Sequence, residues 1–378
     1  MLPRDDSVAS PLGDDPAYRL PLPALHSIMR PHLIVLALLA ACTDPAPIPA
    51  ARLVPGPDTL RLPIVEATDG AWLGGSRFAL LSPADNAVAV VDLDGGTFRI
   101  IDQSSGELQH PTGLFALGDT LFISDWARRR ATAWTADGSM VRSMPAVDAL
   151  RGALPRAIDA RGALYYEVPP LAGRDGSGNR DSAAVVRVDR AGTIDTIARL
   201  APLDIAEVAG ERGARFERRV FSGDDEWGVL PDGSLWVART YQNRVDWIDS
   251  AGVHEGERLV DRVLEVTRTD RERFVERFPA ELRASAERLP FSPIKPPFVR
   301  GFTVLPGEVW LEKSRSILDS MQLYHRVGRD GELIRELRLE GWPRTLAASD
   351  RQALIVLADS IGIRVVAGES RDVTTAGE

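Results

Sequence analysis

The sequence predicts an all-β protein in which small antiparallel sheets of four strands recur along the chain. The recurring unit is clearest in residues 110–144, where four short apolar runs are separated by polar turns. Two of these turns, Gly118-Asp119 and Asp137-Gly138, have the composition of tight reverse turns. A single sheet of about 35 residues cannot bury both of its faces, so we expect the copies to stack against one another.

Six copies of the unit follow one another in the sequence. Five of them end on a hairpin turn with a glycine, at Gly95, Gly138, Gly192, Gly252 and Gly331. The intervals between these glycines lengthen along the chain, so seven sheets is the alternative count. The sixth copy ends after three strands. An isolated apolar run at residues 59–64 is expected to supply its fourth strand, which closes the ring and removes a free sheet edge.

Insertions account for the lengthening intervals. Residues 171–182 are a Gly- and Asp-rich loop, and residues 204–219 are charged and compatible with a short helix. The largest insertion, residues 258–290, is predicted to be helical. Its signals are a capping box from Thr269 to Glu272, an apolar face of Phe274, Val275 and Phe278, and a second helix that begins at Pro279. We expect this insertion to cover a sheet edge or to form a lid over one mouth of a central channel.

The pattern resembles that of six-bladed β-propellers, in particular the NHL-like and TolB-like propellers of bacterial lipoproteins. The resemblance is carried by second strands such as Leu-Phe-Ile-Ser-Asp at 121–125 and Leu-Trp-Val-Ala at 235–238, and by the Asp-Gly turns. It covers residues 58–369. It implies four-stranded antiparallel blades around a channel, with the helical insertion between blades 4 and 5. Such motifs indicate a fold and no particular activity.

The N-terminal region predicts an address in the cell envelope. A charged stretch at 29–32 precedes an apolar run at 33–39, which is too short to span a bilayer, and Leu-Ala-Ala-Cys follows at 39–42. This resembles the lipobox of bacterial lipoproteins. It implies a signal peptide within residues 1–41, translated from Met29, and lipidation of Cys42 that anchors the protein in the outer membrane. A Pro-rich tether over 42–57 and a C-terminal tail over 370–378 flank the predicted propeller. The alternative for Cys42 is a buried free thiol.

Composition narrows the function classes. The formal net charge is −9 and the isoelectric point is about 5.3, so the chain has no basic surplus with which to neutralise nucleic-acid phosphates. Cys42 is the only cysteine, which excludes an internal disulfide framework and a cysteine-based zinc cluster. Because of the acidic net charge, nucleic acid is not an expected partner.

The candidate binding site lies where the first strands of the blades meet. In a propeller these strands line the central axis, and aligning the copies gives equivalent positions near one mouth to Asp69, Thr112, Arg156, Glu226, Arg300 and Arg344. Three arginines beside two acids require either mutual ion pairs or a ligand that carries a carboxylate or phosphate group. The sequence leaves both interpretations open.

Catalytic signatures are missing from the sequence. It contains no G-x-S-x-G, H-E-x-x-H or P-loop motif. The histidines after the signal region, His110, His254 and His325, are not expected to converge on a metal. No cofactor or metal is expected.

The leading hypothesis is therefore an envelope-anchored module that binds a small anionic ligand or an envelope protein. The resemblance also allows a metal-dependent lactonase-like hydrolase that would use Glu226 and Asp69, although the arginines beside them would repel a cation. A third hypothesis is a scaffold in a cell-envelope complex, docked through the helical insertion. The oligomeric state is left open.

Overall fold

The computed structural model describes residues 48–102, 106–169, 183–210, 213–259, 262–304, 306–341, 343–359 and 362–372. Within these ranges the protein is all-β and propeller-like, with 26 strands and two α-helices. The predicted signal peptide, Cys42 and the loop at 171–182 lie outside the described residues.

After the N-terminal strand β1 (Ala50–Leu62), four separate sheets have four strands each, and each is an antiparallel meander. The first two contain β2 (Asp69–Trp72), β3 (Arg77–Ser82), β4 (Ala87–Asp92) and β5 (Thr97–Ile101), then β6 (Pro111–Leu117), β7 (Thr120–Asp125), β8 (Arg130–Thr135) and β9 (Met140–Pro145). The third contains β10 (Pro155–Ile158), β11 (Leu164–Val168), β12 (Ala184–Val188) and β13 (Ile194–Arg199). The hairpin β14 (Ile205–Gly210) and β15 (Gly213–Arg218) precedes the fourth sheet, β16 (Glu226–Val229), β17 (Leu235–Arg239), β18 (Arg244–Asp249) and β19 (Gly252–His254).

The helices α1 (Arg268–Glu276) and α2 (Ala280–Ala286) separate this fourth sheet from a sheet of eight strands. The eight-stranded sheet contains β20 (Phe298–Val304), β21 (Glu308–Lys313), β22 (Met321–Val327), β23 (Leu333–Glu340), β24 (Arg344–Ala348), β25 (Ala353–Asp359) and β26 (Gly362–Asp372), together with β1. Its order is β20-β21-β22-β23-β1-β26-β25-β24, so β1 joins the two C-terminal groups of strands.

The closing strand forms as predicted and is longer than predicted. Thr59 pairs with Val366 and Leu62 with Ile363 in an antiparallel ladder between β1 and β26. The strand already begins at Ala50, where it also pairs in parallel with β23. Residues 50–57 are therefore part of the sheet and not of a tether, and β26 continues past the predicted boundary at 369. The reason is burial, because Ala51 and Leu53 are only 0% and 3% exposed.

The two described insertions differ from each other. Residues 204–219, predicted to be compatible with a helix, form the β14–β15 hairpin instead. The predicted helical insertion is confirmed by α1 and α2, but its capping box joins Thr267 to Asp270 and not Thr269 to Glu272. An aspartate at the third helical position is long enough to reach back to the Thr267 N–H at 2.9 Å.

The first strands of the four separate sheets and the two edge strands of the eight-stranded sheet, β20 and β24, surround a common axis. Their contacts form a cycle, in which β2 contacts β6 and β24, β10 contacts β6 and β16, and β20 contacts β16 and β24. Buried apolar clusters fill the space between successive sheets; Phe78 and Leu80 of β3, for example, pack with Leu346 of β24 and Val365 of β26. This arrangement brings the starts of the first strands together at the axis.

Candidate ligand-binding cavity

The first strands enclose a cavity of about 550 Å³, which we call the axial cavity. Such a volume is within the range of small-molecule sites. Five of the six residues predicted for the axial site line it, namely Asp69, Thr112, Arg156, Glu226 and Arg300. Thr112 is exposed and contributes a hydroxyl group to the lining. Aromatic side chains, Phe115, Trp227, Trp236 and Phe302, complete much of the wall.

Arg156 is already engaged by protein groups. Its Nη1 is in short contact with the carboxylate of Glu167 on the second strand of the same sheet. Its guanidinium also lies 5.2 Å from the ring centroid of Trp227, in a cation–π arrangement. The same Glu167 carboxylate accepts a hydrogen bond from the Trp227 indole N–H at 2.9 Å. The side chain of Arg156 is 49% exposed, so these contacts orient it without burying it.

Arg300 is more enclosed, with a side chain that is 14% exposed. It donates to the carbonyl of Thr345 at 2.5 Å and to that of Thr68 at 3.4 Å. Its Nε lies 3.8 Å from the Glu312 carboxylate, too far for a hydrogen bond, and is buried without an acceptor. Arg300 therefore links β20 to β24, at the opposite edge of the same sheet, and to the segment that precedes β2.

Arg344 does not line the axial cavity, contrary to the sequence prediction. Its Nη2 donates to Glu312 at 3.2 Å, the same carboxylate that faces Arg300. The alignment of first strands in the sequence identified Arg344 but not Glu312 on β21. This ion pair holds Arg344 against the neighbouring strands. The more distant residues Ala347 and Ala348 of β24 reach the cavity in its place.

The two carboxyl groups of the cavity have raised pKa values. Burial raises the pKa of Asp69, although Arg300, the Gly70 N–H at 2.8 Å and Arg156 each act to lower it. Burial raises the pKa of Glu226 to about 7, against the opposing effect of Arg156 and Arg300. The Glu226 side chain forms no hydrogen bond or ion pair with any residue in the described ranges. It is thus the charged group of the cavity most available to a ligand.

Sequence reasoning missed Glu167 and Glu312, which lie on the second strands of their sheets. The signal was present as strand register, because Arg300 pairs directly with Glu312 across β20 and β21. In the third sheet a register shift beside Arg156 lets Glu167 reach it in a similar way. An inner-strand arginine with a second-strand glutamate thus recurs in two sheets, and both arginines gain a neighbouring carboxylate.

Metal-ligand candidates do not cluster in the described part of the chain. No group of three or more His, Cys, Asp or Glu side chains is placed there to hold a metal ion. His110 packs edge-on against Trp126, His254 lies 3.2 Å from Asp249, and His325 is buried 3.8 Å from Glu336. The three histidines belong to different sheets or their connections.

The helical insertion does not contribute to the axial cavity: none of the described residues between 255 and 297 lines it. The insertion packs elsewhere, through contacts of Phe274 with Phe221 and Phe291 at ring-centroid distances of 5.9 and 5.6 Å. Neither helix, nor any other in the described ranges, has the length and apolar character needed to cross a membrane.

Comparison with known proteins finds solved structures that resemble this chain at low sequence identity. No family model and no curated protein matches the chain. Among solved structures, a member of the DUF4221 family from Bacteroides vulgatus is 9% identical, with 85% of this chain and 99% of that chain covered and a TM-score of 0.47. Virginiamycin B lyase from Staphylococcus aureus is 10% identical, with 84% and 99% covered and a TM-score of 0.44. Regucalcin, a calcium-binding protein from Agrobacterium tumefaciens, is 11% identical, with 86% and 97% covered and a TM-score of 0.43. The description of the fold therefore rests on the strand pairing of this chain.

Proposed function

We propose that this protein is a lipid-anchored, extracytoplasmic six-bladed β-propeller that binds a small polar ligand in its axial cavity. The observation that carries the proposal is Glu226, a carboxyl group without a hydrogen-bonding partner among the described residues, in a cavity lined by two oriented arginines and several aromatic rings. Small-molecule sites commonly combine apolar walls with a few convergent polar groups of perturbed pKa.

The count of six blades is supported by the cycle of contacts among the first strands. In this interpretation the eight-stranded sheet consists of two blades. One is β20 to β23, and the other is β24 to β26 with β1 as its outer strand. The parallel pairing of β1 with β23 is short, from Ala50 to Arg52, whereas its antiparallel pairing with β26 runs from Ala51 to Leu62. The longer pairing is the one that completes a blade.

The partners of the two arginines favour a neutral, hydroxyl-bearing ligand over a simple anion. Arg156 pairs with Glu167, and Arg300 faces Glu312, a carboxylate that it shares with Arg344, so the protein offsets part of the positive charge that the two arginines bring to the cavity. A protonated or ionised Glu226 can exchange hydrogen bonds with ligand hydroxyl groups, and the exposed Thr112 hydroxyl adds a second such group. A small anion, the ligand predicted from the sequence, is the alternative that the thermal-shift screen below distinguishes.

The donor set does not fit a catalytic metal. Asp69 and Glu226 are the acidic side chains that line the axial cavity among the described residues, and Arg156 and Arg300 act electrostatically on both of them. Two guanidinium groups that act electrostatically on both carboxyl groups oppose the binding of a divalent cation there. We therefore derive no metal-dependent hydrolytic step for this cavity.

A thermal-shift screen of the full chain tests the binding proposal, since a ligand that binds only the native state raises the melting temperature. Sugars and other polyols, small carboxylates and phosphates, and divalent metals form the three arms. We expect a polyol to raise the melting temperature of the wild type and to lose this effect in Glu226→Gln. Glu340→Gln, an exposed site with a 74% exposed side chain on β23, is the matched control. A shift with anions alone would replace the polyol by an anion, and a shift with metals that Glu226→Gln abolishes would favour the hydrolase.

The lipid anchor is tested separately at Cys42. We expect radiolabelled palmitate to be incorporated into the wild type and not into Cys42→Ser, and the labelled protein to sediment with outer membranes. Labelling that survives in Cys42→Ser would contradict the anchor and leave the axial binding proposal unaffected.

A further inference from the structure

A second cavity, of about 400 Å³, lies between the helical insertion and the β16–β19 sheet, and we call it the insertion cavity. Segments 221–223 and 292–297 form two of its sides. The turn between β17 and β18 contributes Tyr241 and Asn243, and the segment after β19 contributes Arg258 and Leu259. The insertion cavity shares no lining residue with the axial cavity, so it is a site of its own.

Apolar side chains form a continuous part of the lining of the insertion cavity, beside polar ones such as Asn243 and Ser292. Phe221, Leu259, Pro296 and Pro297 line it, and prolines and aromatic rings present flat faces to an occupant. Ile294 and Tyr241 stay 47% and 56% exposed, although each carries a large apolar side chain. Exposed apolar groups around a concave opening are typical of a ligand-binding site.

The backbone at the cavity is held in a demanding conformation. Phe221 has a φ of 64°, a region that bulky residues rarely adopt. Its neighbour Val220 is clamped by two hydrogen bonds, one donated to Pro290 O at 2.8 Å and one accepted from the Ser292 N–H at 2.9 Å. A β-carbon at Gly223 would lie 2.5 Å from the side chains of Pro296 and Thr240. The wall is therefore rigidly built, and conformational strain of this kind concentrates at functional sites.

One of the charged side chains that line the insertion cavity has no partner among the described residues. Lys295 is paired with Asp270 at 2.6 Å, Arg262 with Asp319 at 3.4 Å, and Asp204 with Arg219 at 3.3 Å. Arg258 forms no hydrogen bond or ion pair with any described residue. An occupant would meet these apolar side chains and, at Arg258, a guanidinium without a partner among the described residues, and a guanidinium binds carboxylate or sulfonate groups with two parallel hydrogen bonds.

We propose that the insertion cavity binds an aromatic monoanion, with its ring system against Phe221, Ile294 and Pro296 and its acidic group on Arg258. The assignment is independent of the proposed axial function. It makes the insertion one wall of a second binding site.

Two fluorescent probes of nearly the same shape test this proposal in the full chain. Anilinonaphthalene sulfonate carries one negative charge, and N-phenylnaphthylamine is its neutral counterpart. We expect both to bind with one-to-one stoichiometry. Ile294→Trp, which fills the cavity, should weaken both by about tenfold or more. Arg258→Gln should weaken the sulfonate by about tenfold and change the affinity of the neutral probe less than twofold.

Matched controls use the same substitutions outside the cavity. Ile334→Trp, at a residue of β23 that is 42% exposed, and Arg268→Gln, at a 91% exposed side chain of α1, should leave both affinities unchanged. Unchanged melting temperatures establish that the variants are folded. The proposal is overturned if neither probe binds stoichiometrically, if Ile294→Trp leaves binding intact, or if Arg258→Gln affects the two probes equally.

Discussion

Glu226 in the axial cavity and Asp270 in the helical insertion are two partly enclosed carboxyl groups with opposite pKa shifts. Burial raises the pKa of Glu226 to about 7, and no hydrogen bond from a described residue offsets it. Burial also acts to raise the pKa of Asp270, but hydrogen bonds from Lys295 Nζ at 2.6 Å and from the Thr267 N–H and hydroxyl at 2.9 and 2.8 Å hold it below its usual range. Burial alone therefore does not decide the ionisation of a carboxyl group. The hydrogen-bond donors around the carboxyl group decide whether its pKa is raised or lowered.

The comparison separates a structural acid from one that is available to a ligand. Asp270 has its acceptor positions used by the capping box and by Lys295, so it fixes the start of α1. Glu226 has no hydrogen-bond donor among the residues that the structure describes, while Arg156 and Arg300 lie within electrostatic range. Unpaired and partly desolvated groups of this kind are typical of binding sites.

Trp236→Ala should have the largest effect, because its side chain belongs to the wall of the axial cavity and to the core that contains Leu259 of the insertion cavity. Trp236 is 1% exposed, and its indole N–H donates to Thr303 Oγ1 at 2.8 Å. We expect the free energy of unfolding to fall by about 3–5 kcal/mol, measured by urea denaturation. Trp126→Ala, at a 67% exposed residue, is the control and should change it by less than about 0.5 kcal/mol. Similar losses in both variants would contradict the assigned packing.

Lys295→Met should have the second largest effect, because it removes the ion pair that lowers the pKa of Asp270 in the helical insertion. It leaves the Asp270 carboxylate, whose side chain is 9% exposed, without its charged partner. We expect a loss of about 2–4 kcal/mol at pH 7. Because the pKa of Asp270 is lowered in the folded state, its contribution is present above the usual aspartate pKa and is lost as the pH falls through the lowered one. The difference between wild type and variant should therefore shrink in acid, whereas Arg268→Met should have little effect at any pH.

Glu226→Gln should show the opposite pH dependence. A raised pKa means that the folded protein binds the proton more tightly than the unfolded chain does, so this group favours folding below about pH 4.5 and loses that advantage as the pH rises to about 7. Allowing for partial exposure, the variant should gain about 2 kcal/mol relative to wild type across this range. Urea unfolding at pH 4.5 and 7.5 measures the difference. A pH-independent difference would show that Glu226 keeps an ordinary pKa.

Thr267→Ala should have the smallest effect and sharpens the position of the helix start. Thr267 accepts a hydrogen bond from the Asp270 N–H at 3.2 Å and caps α1. Its loss should cost about 1 kcal/mol. Thr269→Ala, the position that the sequence pattern favoured, should cost clearly less because Thr269 is exposed inside the helix. Equal costs would contradict the capping geometry.

Much of the fold could be predicted because strand alternation and turn chemistry are local signals. The pattern in 110–144 maps onto β6 to β9, and the closing role of 59–64 followed from counting unpaired strands. The extension of β1 to Ala50 could not be predicted, because a Pro-rich composition conceals the buried alternation of Ala51 and Leu53. The β14–β15 hairpin was likewise hidden, since charged residues such as Arg215 and Glu217 pair with each other and tolerate a strand on an exposed edge.

The candidate site could be predicted only as far as first-strand alignment reaches. Alignment correctly identified five residues that line the axial cavity. The ion-pair partners of the arginines are acids on other strands, and only the pairing register shows which acids these are. The insertion cavity carried no sequence signal at all. Its walls come from segments that are separated in the chain, from Phe221 to Pro297. The sequence does not show which charged residues of the lining form ion pairs, so it could not single out Arg258 as the one without a partner among the described residues.

The N-terminal strand has a mechanical consequence. Because β1 is hydrogen-bonded on both sides, to β23 and to β26, a pull along the strand from Ala50 loads many hydrogen bonds in shear at once and does not peel them one by one. The same strand pairs with β26, which lies about 300 residues later in the chain, so this pairing can form only after β26 has been synthesised, and a chain truncated before β26 would keep an open strand edge. The β1–β26 pairing, which we expect to resist such a pull, is therefore also the last strand pairing of the sheet that can form during synthesis.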